Sequence, residues 1–220
     1  RTMSKRFELL VFDWDGTLHD SIATIVAALR AACRDLGVPE PTDAHARHAI
    51  GLGLIDALRH SAPDLDEARY PEMAERYKHH YLSNDHRLSL FAGIATLIED
   101  LHERGYVLAV ATGKARHGLK RVLGFSGIER FFSASRCGDE CFSKPHPQML
   151  QELMDELLIE PEKTLMIGDT THDVQMAINA GVNSVAVTYG AHPAEQLAEL
   201  NTLARLHSVA ELSDWLRENA

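Results

Sequence analysis

Asp13 and Asp15 stand two residues apart, directly after the apolar run Phe7–Phe12 and ahead of Gly16-Thr17. In extended backbone that spacing aims both side chains to the same side. Two carboxylates in different surroundings can divide the labour at a phosphorus atom. One attacks, while its neighbour protonates the leaving oxygen and later activates water. Taken alone, Asp-x-Asp-Gly-Thr reads more readily as a reverse turn, because Asp and Gly are common turn formers. Three further segments carry related residues. Thr112-Gly113 offers a hydroxyl and amides suited to phosphate oxygens, or equally a helix cap. Lys144, between Ser143 and Pro145, brings a positive charge if it points inward, although a loop lysine is more often solvated. Gly168-Asp169-Thr170-Thr171-His172-Asp173 offers hard oxygen ligands for Mg2+. There Asp169 would act with Asp13, and Asp173 as a further ligand or a support behind them. The competing account of Asp169 and Asp173 is N-capping, with Thr170 or Thr171 as the cap residue.

The elements that must position these residues can be read from the hydrophobic pattern. Phe7–Phe12 reads as a buried parallel strand. Asp20-Ser21 read as an N-cap before a helix over Ile22–Leu36, which Gly37 and Pro39 close. Residues 42–84 read as further helix, broken near Gly51-Leu52-Gly53 and at Pro63. After residue 90 the pattern alternates: helix Ile94–Arg104, strand Tyr106–Ala111, helix Ala115–Leu123, a weaker strand near Phe131–Ser135 and helix Pro147–Leu158. Strand Thr164–Ile167, helix His172–Ala180, strand Ser184–Val187 and two C-terminal helices complete it. This alternation predicts an α/β fold, a Rossmann-like three-layer core around a parallel sheet. The all-helical stretch interrupts it, which predicts residues 1–18 and 89–220 as the core and 19–88 as a small inserted helical domain. Each candidate segment then follows a strand, where open parallel sheets place their ligand chemistry.

Composition narrows the function. The chain has 220 residues, with 22 Lys+Arg against 32 Asp+Glu and a net charge of −10. That acidity argues against a generic binder of nucleic acid or anionic membrane. Three cysteines, Cys33, Cys137 and Cys141, are too few for a secreted disulfide framework and read as free thiols of a reducing cytoplasm. No apolar run approaches the roughly 18 residues of a membrane span, and Phe7–Phe12 is too short for a signal segment. Arg1-Thr2 precede Met3, which reads as an appended pair ahead of a natural start. The 13 histidines are scattered along the chain rather than set at ligand spacing.

Together the four segments, in this order, resemble the haloacid dehalogenase-like hydrolase superfamily over residues 7 to about 190. The helical insert, with Asp15-Gly16-Thr17-Leu18-His19-Asp20-Ser21, resembles the cap of its phosphoglycolate phosphatase-like branch. The resemblance implies that Asp13 is a nucleophile forming an aspartyl-phosphate and Asp15 the general acid/base. It implies that Thr112, Gly113 and Lys144 hold the phosphoryl group. It also implies Mg2+ as cofactor, held by Asp13, the Asp15 backbone carbonyl and Asp169, with Asp173 close by. The dehalogenase branch lacks the second acid that Asp15 supplies here. The phosphonatase-like branch needs a Schiff-base lysine in the cap, where Lys78 is the only lysine of residues 19–88. Ser143 stands where the superfamily often has Gly, and His19 is larger than usual for its position.

Within the helical insert, Arg47, His48 and the Gly51-Leu52-Gly53 break are the candidates for touching a ligand, against a solvated helix face for the first two. His45, His60, His79, His80 and His86 read as surface residues, and His146 and His172 occupy variable motif positions. His172 is read as helix surface, with the metal's neighbourhood as the other reading. Trp14 is expected to pack in the core. The resulting expectation is a Mg2+-dependent phosphatase acting on a small phosphorylated metabolite, without nucleic acid or membrane, as a monomer or homodimer. A sugar phosphomutase of the same superfamily is the alternative, and a non-catalytic ligand-binding member the third reading.

Overall fold

The apolar runs form strands β1 (Leu9–Phe12), β2 (Val107–Ala111), β3 (Ala134–Arg136), β4 (Thr164–Gly168) and β5 (Asn183–Val187) in a computed structural model that describes residues 5–220. The reading of Arg1-Thr2 lies outside the described residues. A two-residue strand, β6 (Arg205–Leu206), adds an edge that the sequence pattern does not announce. Helices α1 (Ile22–Leu36), α2 (Asp43–Ala49), α3 (Leu54–Ser61) and α4 (Tyr70–Leu82) lie between β1 and β2, followed by α5 (Ile94–Glu103). Further on come α6 (Arg116–Ser126), α7 (Gln148–Leu157), α8 (Thr171–Ala180), α9 (Ala194–Leu197) and α10 (Val209–Asn219). No helix among the described residues is long and apolar enough to cross a membrane.

The strands pair in the order β3-β2-β1-β4-β5-β6, all parallel. The chain leaves β1 toward one edge and later returns to β1's other side, so strand order reverses beside β1, where such sheets open a crevice at their carboxyl ends. Register brings the strand ends level: Phe12 lies opposite both Val110 and Ile167. Asp13, Thr112 and Asp169 therefore emerge side by side.

Alternation along β1 fills two layers. Leu10 and Phe12 pack with Ile94, Ile98, Leu119 and Leu212 on one face, and Trp14 joins this core. Leu9 and Val11 pack with Met149, Leu153 and Met176 on the other. Helices α1–α4 build a separate core from residues such as Leu29, Leu58 and Met73. This second core explains how a helical segment between two strands keeps its own shape over the sheet's open end.

Candidate active site

Asp13 leaves β1 with its amide bonded to the Ile167 carbonyl at 2.9 Å. Its Oδ1 accepts the Trp14 amide at 2.7 Å and lies 3.1 Å from Lys144 Nζ. Its Oδ2 is buried and has no hydrogen-bond partner among the described residues. Burial and the Asp173 charge push this carboxyl well above the usual range, against the pull of Lys144. Lys144 is itself fully buried. Its three protons are matched by Asp13, by Asp173 Oδ1 at 2.7 Å and by the Ala111 carbonyl at 3.0 Å. Burial alone would lower the Lys144 pKa, but the two aspartates outweigh it and hold the ammonium charged. The lysine therefore points inward.

Asp169 accepts the Thr17 hydroxyl at 2.8 Å and the Ala191 amide at 2.7 Å. Burial and the Asp173 charge push its carboxyl up to about 7. Gly16, at φ +81°, passes so close to Asp169 that a Cβ there would overlap its carboxylate, in a backbone region that other residues seldom adopt. Thr170 caps α8 in a reciprocal capping box with Asp173. Asp173 Oδ2 takes both the Thr170 amide and hydroxyl, while its Oδ1 faces Lys144. Capping and site chemistry thus coexist in one residue. Burial would raise the Asp173 pKa, but Lys144 and the Thr170 bonds bring it below the usual range. Asp13, Asp169 and Asp173 each place one oxygen within 4.8 Å of the others.

Asp15 lies in different surroundings. Ser21 Oγ donates to it at 2.7 Å, and Lys114 Nζ sits 3.4 Å from Oδ2. Burial pushes the Asp15 carboxyl up, but Lys114, His19 and Ser21 together hold it well below the usual range. The expected cap role of Ser21 is thereby corrected: it occupies the N-cap position of α1, yet its hydroxyl makes no cap bond and turns to Asp15. Thr112 is buried, and its Oγ1 accepts the Lys114 amide at 3.1 Å. Gly113 lies directly beneath the Gly51 and Leu52 carbonyls, where any side chain would overlap them.

Asp13, Asp15, Thr112, Gly113 and Lys114 line one end of a cavity of about 310 Å3, closed from above by α1, α3 and α4. Gly51 and Leu52 reach it as well, whereas Arg47 does not. Arg47 bonds Asp43 at 2.8 Å and the Gly190 carbonyl at 3.4 Å, beside a separate hollow that also holds His48 and His192. Lys114 and the Tyr77/Tyr81 pair on α4 belong to the cavity but carry no motif signal.

The histidine reading needs correction in three dimensions. His48, His172 and His192, scattered in sequence, pack together, with His48 and His192 stacked at 4.7 Å. His172 is half-buried rather than on an open helix face, its Nε2 2.6 Å from the His48 carbonyl. His192 Nε2 lies 3.2 Å from the same carbonyl, so two core imidazoles meet the last turn of α2. His45 extends the group by stacking on a half-buried His60 at 4.1 Å.

Comparison with protein families matches residues 10–187 to haloacid dehalogenase-like hydrolases. A phosphoglycolate phosphatase of Vibrio cholerae is 33% identical over 203 residues, covering 88% of this chain and 90% of that protein. A protein named tyrosine-protein kinase PtkA, of Mycobacterium tuberculosis, is 34% identical over 213 residues, covering 96% of this chain and 72% of that one. Among solved structures, a predicted phosphoglycolate phosphatase from Haemophilus somnus superposes with a TM-score of 0.87 at 24% identity, over 99% of this chain and 100% of that one. That likeness speaks for the fold. With the family match across both strand-end carboxylate segments, the chain belongs to the haloacid dehalogenase-like hydrolases.

Proposed function

We propose that this protein is a Mg2+-dependent phosphatase of the phosphoglycolate phosphatase type, hydrolysing a small phosphorylated metabolite through an aspartyl-phosphate. The observation that carries the reading is the Asp13 carboxylate at the cavity floor. One of its oxygens is fixed by Trp14 and Lys144, and the other is buried without a partner among the described residues. The donor set fits a hard dication, because three carboxylates bring oxygens within 4.8 Å of one another, one lysine pairs with only two of them, and two are pushed toward protonation by burial and mutual repulsion. Mg2+ held by Asp13, Asp169 and the Asp15 carbonyl, with Asp173 alongside, would neutralise the phosphoryl oxygens.

The chain's own residues then divide the reaction. An Asp13 oxygen attacks phosphorus, and the bond from phosphorus to the leaving alcohol breaks. Lys144 keeps Asp13 in position and offsets the charge of the incoming phosphate. The Thr112 hydroxyl and the Gly113 amide receive phosphoryl oxygens. Asp15 gives a proton to the leaving oxygen, then takes one from the water that cleaves the aspartyl-phosphate. Because Lys114 holds Asp15 ionised beforehand, its proton arrives with the substrate, whose phosphate has a second pKa of about 6. Helices α1–α4, residues 19–88, act as the cap that excludes water.

The test is phosphate release from 4-nitrophenyl phosphate with and without Mg2+. Asp13→Asn should lose roughly three orders of magnitude or more, since the covalent step itself is removed. Activity retained in that variant overturns the reading. The kinase name of one 34% identical relative favours, as a second reading, transfer of the phosphoryl group to an alcohol instead of water. Phosphorylated glycerol or tyrosine formed at the expense of free phosphate would identify it.

A further inference from the structure

Beyond the carboxylates the cavity changes character. Its far wall is apolar: Ile25 and Leu29 from α1, Ile50 and Leu54 around the Gly51-Leu52-Gly53 break, and Tyr77 with Tyr81 from α4. The two tyrosine rings, one helical turn apart, stack with centroids 6.0 Å apart and planes at 23°. The permanent cations that reach this space all have partners. Lys114 Nζ is shared between Asp15 and the Tyr81 hydroxyl, and lies 4.6 Å above the Tyr81 ring. Arg121 is bound by both oxygens of Asp85, at 2.9 and 3.2 Å. Lys78, more exposed, pairs with Glu75 at 3.0 Å.

A substrate whose leaving group carries a second negative charge would set that charge against the apolar wall and next to Asp15. It could recruit Lys114 only by taking it from Asp15, which would leave two anions facing each other beside an apolar wall. An uncharged aromatic ring meets no such opposition. It can stack against Tyr77, whose hydroxyl makes no hydrogen bond among the described residues and is left for a polar edge of the ligand. The volume of about 310 Å3 is at the small end of ligand pockets, which run from about 300 to 1,000 Å3.

We propose that the preferred substrates are phosphate monoesters of uncharged, apolar aromatic alcohols, selected by Leu54, Tyr77 and Tyr81, rather than esters whose alcohol bears a carboxylate. This rests on the phosphatase reading of the same site. The decisive comparison uses the Mg2+-loaded enzyme with benzyl phosphate and phosphoglycolate, both of which release an alkyl alcohol, so that binding and not leaving-group reactivity is compared. We expect kcat/KM to favour benzyl phosphate by about a hundredfold. Equal or greater efficiency on phosphoglycolate overturns the proposal.

Leu54→Arg, which adds an unpaired cation to a half-buried position, should shift the ratio toward phosphoglycolate by about tenfold. Tyr77→Ala should lower kcat/KM for benzyl phosphate about tenfold more than for phosphoglycolate. A Tyr77→Ala variant with the wild-type ratio and the wild-type far-ultraviolet spectrum also overturns it. Binding separates this proposal from the phosphatase reading. Benzylphosphonate and phosphonoacetate cannot be hydrolysed, and calorimetry should show the first binding at least about tenfold more tightly. Absence of any turnover, with that order kept, removes the phosphatase reading and leaves the pocket's preference standing. The reverse order removes the preference itself.

Discussion

Asp13 at the sheet end of the cavity, and Lys144, Asp169 and Asp173 behind it, are all buried and each held by several hydrogen bonds or ion pairs. On the helix side Ile25, Leu29, Ile50 and Tyr81 are buried too, but Leu54 and Tyr77 are only half-buried, and Tyr77 lacks a hydrogen-bond partner among the described residues. The difference follows from what each wall handles. Charges in a dry site stabilise developing charge only if they are already oriented, so their positions are fixed by several bonds each. An apolar wall recognises by shape and by excluding water, and tolerates looser placement. The sheet wall thus belongs to the reaction, and the helix wall to the choice of substrate.

The largest test of that contrast is Lys144→Met. The lysine is wholly buried between two carboxylates, so its removal leaves charges without compensation and should cost about 3–5 kcal/mol of folding stability, read by urea unfolding. On the other wall, Leu54→Ala trims a half-buried side chain, and we expect it to cost about 1 kcal/mol. Equal losses in the two variants would break the contrast.

Next in size is the response to Mg2+. If Asp13, Asp169 and Asp173 repel one another until a cation arrives, the dication binds the folded chain selectively. It should then add about 2.7 kcal/mol at a hundredfold excess over its dissociation constant. Melting curves should rise with Mg2+ in the wild type and stay level in Asp169→Asn, and a full rise in the variant would place the ion elsewhere.

Which parts of this arrangement were legible in the sequence follows from how far apart the cooperating residues lie. β1 and α1 are local patterns: an apolar run, and a helix closed by Gly37 at φ +70°. The carboxylates were legible because each follows a strand. Lys114 was not, since nothing at position 114 indicates that it meets Asp15, 99 residues away. Tyr77 and Tyr81 look in sequence like any helix face packed on a core, and Ser21 looks like an ordinary cap. β6, two residues long, has no periodicity to detect. The histidines at 48, 172 and 192 are assembled only by the return of the chain from β4 and β5 beneath α2.

Those histidines mark where the two walls touch, and one of them, His192, responds to acid. Burial holds the His192 imidazole down at about 4, from the ordinary 6.5. The His172 and His48 rings add to this, while a bond to the His48 backbone and the Asp173 charge oppose it. Between those two values the unfolded chain binds the proton more readily than the folded one, so stability falls as pH falls through 6.5 toward 4. The penalty is absent above that window and reaches about 2 kcal/mol by pH 5. For a chain of this size we expect the metal-free protein to melt about 4–8 °C lower at pH 5 than at pH 7 on this account alone. His192→Phe keeps a ring beside His48 but cannot take the proton, so the pH-dependent part of the loss should shrink even though the variant starts lower. If wild type and variant lose the same amount, acid acts on the carboxylate wall instead, and the joint between the walls is indifferent to pH.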